Sequence, residues 1–97
     1  MKVLDEDLSG LRSEIMRLTL EIIRLAGERL TLAKKIGEIK AQRNMPIEDS
    51  RVEQELREKV AELSKKLNMD VNFSLNLLNL LIEESKRVQR KIMEGGI

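Results

Sequence analysis

The chain has no cysteine, no histidine, no tryptophan and no tyrosine, and its one aromatic residue is Phe73. Each absence removes a class of chemistry. Without cysteine there is no disulfide framework, no thiolate nucleophile and no thiolate metal ligand. Without histidine, imidazole acid–base chemistry is gone and a zinc site is not expected. A single aromatic leaves nothing for bases to stack on. Basic residues do not dominate either: Lys and Arg number 18 against 17 Asp and Glu, with the signs mixed along the chain. Nucleic acid is therefore not the expected partner. No apolar stretch reaches the length needed to span a bilayer. The opening "MKVLDEDLSG" lacks the apolar centre of a signal peptide. A cytoplasmic protein is expected.

The β-branched and aromatic runs that mark strands are also missing. What is there is Leu, Ile, Glu, Lys and Arg in helical spacing, so the class is all-α. The length of 97 residues sets one domain, residues 1–97, as the expectation. So short a chain buries only a modest share of its own surface, which makes oligomerisation a natural source of further core.

Three helices are expected. The first starts within residues 5–10 and runs to about residue 43. Its seam is Leu8, Leu11, Ile15, Leu18, Ile22, Leu25, Arg29, Leu32, Ile36 and Ile39, in steps of three and four. Asn44 fits a left-handed cap and Pro46 forbids continuation. Gly27 and Gly37 lie inside this helix, where each costs on the order of 1 kcal/mol against Ala, so a close approach of backbone or ligand is expected at them. The second helix is capped by Asp49 or Ser50, and Ser50 with Glu53 fits a capping box. The third begins near residues 70–72 and ends at Gly95-Gly96. Its first half, "FSLNLLNLLI", is apolar on most sides and should be covered on more than one face.

Helix lengths point to assembly. The first helix is about 55 Å long at the α-helical rise, and the others about half that. A lone three-helix chain leaves half of the long stripe in water. Two chains pairing their long helices antiparallel, with the short helices covering both ends, remove the mismatch.

Two cations break the seam. With Arg29 at 0° on a wheel of about 100° per residue, Ile36 falls near −20°, Lys40 near +20° and Ala33 near +40°. Arg29 and Lys40 thus share an apolar stripe, about 16 Å apart, and can converge across small Ala33 onto an anionic ligand. Arg12 lies about 25 Å from Arg29, too far to share a small ligand within one chain. If antiparallel partners cross near residues 20–21, Arg12 of one comes opposite Arg29 of the other. On the third helix, Ser85 and Gln89 continue the line of Leu78 and Ile82. Taken singly, each residue admits a plainer role. Arg29 can set register or pair with Glu28, and Lys40 can snorkel at a helix end. Ser85 and Gln89 can be satisfied core polars, Glu53 can close the capping box, Asp49 can cap, and Arg12 can be a surface charge.

Four stretches taken together, "LRSEI", "AGERLTLAKKIGEIK", "MPIEDSRVEQEL" and "LLIEESKRVQ", resemble the all-helical chorismate mutase family over nearly the whole chain. The resemblance implies an intertwined homodimer that converts chorismate to prephenate on the shikimate route to Phe and Tyr, with no metal and no cofactor. It implies that Arg29 and Arg12 of the partner subunit bind the two substrate carboxylates. Lys40 and Gln89 would donate to the ether oxygen, Asp49 and Glu53 would flank the ring hydroxyl, and Ser85 would assist a carboxylate. The family usually carries Arg immediately before the helix-two Glu. Here that residue is Val52, and Arg51, one place earlier and roughly 100° around the helix, is the candidate binding residue in its stead. A pericyclic rearrangement moves no proton, so a chain without His or Cys can run it. An isochorismate-pyruvate lyase of the same fold, or a non-catalytic helical dimer acting as a regulatory subunit, remains open at this point. The long first helix and the Gln89 donor lean toward the mutase.

Overall fold

The computed structural model describes residues 5–95 and contains three helices among them: α1 Asp5–Gln42, α2 Ser50–Lys66 and α3 Val71–Met93. This is the all-α class that the sequence sets. The outer flank of α1 carries Arg17 on Glu14 at 3.0 Å, and Arg24 between Glu21 and Glu28. Such exposed pairs one turn apart add a few tenths of a kcal/mol each.

The helix ends follow from identifiable residues. At the end of α1, Met45 N donates to Lys40 O at 2.8 Å, and Asn44 sits at φ 53° between them. The same motif ends α2, where Met69 N donates to Ser64 O at 2.9 Å across Asn68 at φ 56°. Asparagine tolerates this left-handed region better than most residues, and the doubled-back N–H groups satisfy carbonyls that the helix leaves open. Asp49 caps α2, its side chain accepting from Val52 N, and Asp70 caps α3, accepting from Asn72 N. The capping box expected from Ser50 and Glu53 does not form. Asp49 takes the cap one residue earlier, Ser50 becomes the first helical residue, and the Glu53 carboxylate turns to Lys86 instead. Gly95 at φ 74° follows α3; Gly96 lies outside the described residues.

α3 is the shared element: it packs on both α1 and α2, which do not pack on each other. Gly37 sets the closest approach. A Cβ there would stand 3.2 Å from both Cα and Cγ of Gln89, so only glycine lets α1 and α3 come this near. Gly27 has no such neighbour within the chain: among the described residues outside its own helical turns, nothing lies within 4 Å of a Cβ built on it. The α2–α3 hairpin is pinned by a buried hydroxyl pair, Ser64 Oγ to Ser74 Oγ at 2.7 Å.

The core of one chain is thin. Its buried apolar residues are Ala33, Leu78, Ile82 and Val88. Leu8, Leu11, Ile15, Leu18, Ile22 and Leu25 remain 41–65% exposed. Phe73, Leu77 and Leu80 are exposed too, so α1 and α2 leave a face of the first half of α3 uncovered within the chain. The reason is geometric, since three helices in a single layer give α3 only two neighbours. The chain measures 61 × 29 × 14 Å with a radius of gyration of 17.9 Å. A compact chain of this length has a radius near 13 Å. No helix among the described residues is long and apolar enough to cross a membrane.

Candidate active site

A cavity of about 410 Å³ opens where the C-terminal half of α1 meets the start of α2 and the last turns of α3. That volume is in the range of small-molecule pockets. Its α1 wall is Arg29, Leu32, Ala33, Ile36 and Lys40, one stripe of a single helix. Buried Ala33 leaves the space between the two cations, as the wheel geometry anticipates.

Arg29 is half-buried and held. Its Nη1 donates to Ser85 Oγ at 2.6 Å and to Leu81 O at 3.0 Å. Both anchors sit on α3, so the packing of α3 on α1 aims the guanidinium. Among the described residues the Nε and Nη2 hydrogens have no such anchors, which leaves one edge of the fork for a carboxylate. Lys40 Nζ donates to Ile47 O at 2.9 Å, a carbonyl brought back by the Asn44 turn. One of its three donors is spent in fixing it, and two remain.

Gln89 closes the α3 side. It is 7% exposed, and its Oε1 is buried without a hydrogen-bond partner among the described residues. Such an orphan costs about 1–3 kcal/mol. A half-turn of the terminal amide presents its N–H donors there instead. Gly37 is what lets this side chain lie so close to α1.

On α2, Asp49, Val52, Glu53 and Leu56 complete the lining. The Glu53 carboxylate receives Lys86 Nζ at 3.1 Å, and Lys86 also reaches Glu48 at 2.8 Å. The hydrogen bond that Lys86 donates to Glu48 raises the Lys86 pKa above its ordinary value, against the opposing pull of burial. Reciprocally, Lys86 lowers the carboxyl of exposed Glu48. The ammonium is thus firmly charged.

Of the residues singled out in the sequence, Arg29, Lys40, Asp49, Glu53, Ser85 and Gln89 meet in this one cavity. Arg12 does not; it is exposed on the N-terminal half of α1, about 25 Å along the axis from Arg29. Arg51 does not either. It is exposed and outside the lining, while Val52 faces the cavity with methyl groups. Sequence reasoning missed Lys86. The available signal was its place directly after Ser85 and one turn before Gln89.

Cations at two points of an apolar wall, an unpartnered amide and an oriented carboxylate suit a small ligand with separated negative groups and a hydroxyl. No member of the lining is a nucleophile poised beside a base. Residues 11–90 match the family described as chorismate mutase type II. The chain is similar to the chorismate mutase of Methanocaldococcus jannaschii, with 34% identity over 92% of this chain and 90% of that protein. It is 39% identical, over 90% of its length, to the bifunctional chorismate mutase/prephenate dehydratase of Buchnera aphidicola subsp. Schizaphis graminum, of which it spans 23%. The bifunctional protein of the same description from Aquifex aeolicus is 48% identical over 64% of this chain, spanning 17% of that protein.

Proposed function

The chain belongs to the chorismate mutase type II family, and from that membership we propose that the cavity between the three helices is where it rearranges chorismate to prephenate. The reaction breaks one C–O bond and forms one C–C bond within a single molecule. No proton, electron or leaving group departs, so the chain needs to supply only shape and charge. This step belongs to phenylalanine and tyrosine biosynthesis.

The observation that carries the reading is the meeting of Arg29, Lys40 and the orphaned amide of Gln89 in one cavity. Arg29, anchored on Ser85, offers the free edge of its fork to one carboxylate, and Ser85 assists from beside it. Lys40 and Gln89 donate to the ether oxygen, where negative charge builds as C–O cleavage runs ahead of C–C formation. Asp49 and Glu53 face the ring hydroxyl. Holding a flexible dianion in its chair-like reactive form supplies the remainder of the rate enhancement.

One arginine is lacking for the second carboxylate. The cavity lining carries three cations, Arg29, Lys40 and Lys86, against the carboxylates of Asp49 and Glu53. We assign the further cation to Arg12 of the partner subunit, in a homodimer of antiparallel α1 helices. Three features support the dimer: the exposed seam of α1, the exposed Phe73–Leu80 face, and a radius of gyration well above that of a compact chain. Leu32 and Ile36 line the cavity yet stay half-exposed, which leaves it open on the side from which α1 of a partner would approach. Arg51 has no part in this scheme.

The test is consumption of chorismate with identification of the product. Prephenate supports the reading. Salicylate and pyruvate from isochorismate would move it to the lyase, and turnover of neither substrate would leave a helical scaffold.

A further inference from the structure

Glu53 is only useful to a substrate hydroxyl if its carboxylate is aimed, and the neighbours on its own helix do not aim it. Arg51 is exposed outside the cavity, and Val52 is apolar. Arg57, one turn on, stays 3.9 Å from Oε1, too long for a hydrogen bond. The cation in contact with Glu53 comes from α3, as Lys86 at 3.1 Å from Oε2. The two side chains are 12% and 14% exposed, against the habit of both residue types to lie in water. Glu48, 65% exposed, takes the same ammonium at 2.8 Å from the solvent side. Two of the three Lys86 donors are therefore committed to carboxylates, and the ammonium is tethered between them rather than free to seize a substrate carboxylate.

We propose that Lys86 is a positioning residue of this site, which holds the Glu53 carboxylate in place as an oriented acceptor for the hydroxyl of the bound substrate. Its place on α3 has a consequence. Ser85, Lys86 and Gln89 belong to two successive turns of one helix, so the groups that hold Arg29, orient Glu53 and face the ether oxygen move as one body. The orientation of an α2 carboxylate is thereby tied to the α1–α3 packing. This inference rests on the chorismate reading, and wild-type turnover of chorismate tests that reading before any variant is made.

The experiment is a double-mutant cycle in steady-state kinetics on chorismate, with helicity followed by circular dichroism. Lys86→Met should lower kcat/KM by about thirtyfold in a chain of unchanged helicity, as expected when an oriented partner is lost. Lys86→Arg should retain at least about a third of the activity, because charge and reach survive. In a Glu53→Gln background, Lys86→Met should cost less than about twofold, the signature of one residue acting through another. Lys86→Gln repeats the cycle if the Met variant loses helicity. Wild-type kinetics in Lys86→Met, or costs that multiply in the double variant, overturn the proposal. A wild-type chain inert toward chorismate overturns the reading beneath it and this inference with it.

Discussion

In the proposed site, Arg29 would serve both packing and recognition. It stands in a seam of leucines and isoleucines, where an unpaired charge is costly, yet two α3 acceptors satisfy one end of its guanidinium. Arg29→Ala should therefore lower kcat/KM by a hundredfold or more, roughly 3 kcal/mol of transition-state stabilisation, while circular dichroism shows an intact fold. Full activity in that variant would remove Arg29 from the site. The seam position was legible in the sequence because a cation among apolar residues at helical spacing is conspicuous. Lys86 was not legible. It sits among charged residues in "EESKRVQ", and its partners, Glu53 on α2 and Glu48 in the loop before it, lie more than thirty residues away. Helical periodicity gives a side chain's direction on its own helix, but not which neighbouring helix it meets.

At the scale of elements, the contact between α1 and α3 depends on Gly37. Gly37→Ala would put a methyl group 3.2 Å from the Cα of Gln89, and backbone cannot step aside as a side-chain tip can. The helices must part by a few tenths of an ångström, at a cost of about 1–3 kcal/mol. The expected result is a lower Tm together with a fall in kcat larger than the change in KM, because Gln89 moves while Arg29 keeps its grip. A variant with unchanged kcat would show that the amide tolerates displacement. The helix boundaries themselves could be read in advance. Asn44, Pro46, Asn68 and Asp70 act through local backbone chemistry, and all four lie where a helix stops or starts. The Ser50–Glu53 pattern misled for an equally local reason. Two adjacent residues could each cap α2, and the carboxylate of Asp49 prevailed, releasing Glu53 for a tertiary partner that no local pattern encodes.

At the scale of the molecule, the chain is a slab 14 Å thick, with room for one layer of helices. Among the described residues, the N-terminal half of its long apolar stripe, Leu8 to Leu25, is left exposed, a shortfall that the mismatch of helix lengths already implies. If partners cross their α1 helices, each cavity combines Arg29 of one chain with Arg12 of the other. Arg12→Ala and Arg29→Ala chains, each inactive alone, should on mixing and refolding regain about a quarter of wild-type turnover, because random pairing leaves one site in four unaltered. No recovery, with heterodimers shown to be present, would confine each site to one chain. The Tm should also rise with protein concentration, as it does whenever association supplies part of the core.

The orphaned amide of Gln89 has a consequence for inheritance. A buried, unpartnered oxygen weakens the empty chain, and Gln89→Leu should stabilise it by about 1 kcal/mol while abolishing turnover. If the proposed role holds, random substitution in a lineage released from the reaction would then favour leucine or methionine at this position, since the amide earns its place only by catalysis. On the proposed reading the glutamine is a mark of use, kept against the interest of the fold for as long as the chemistry is selected.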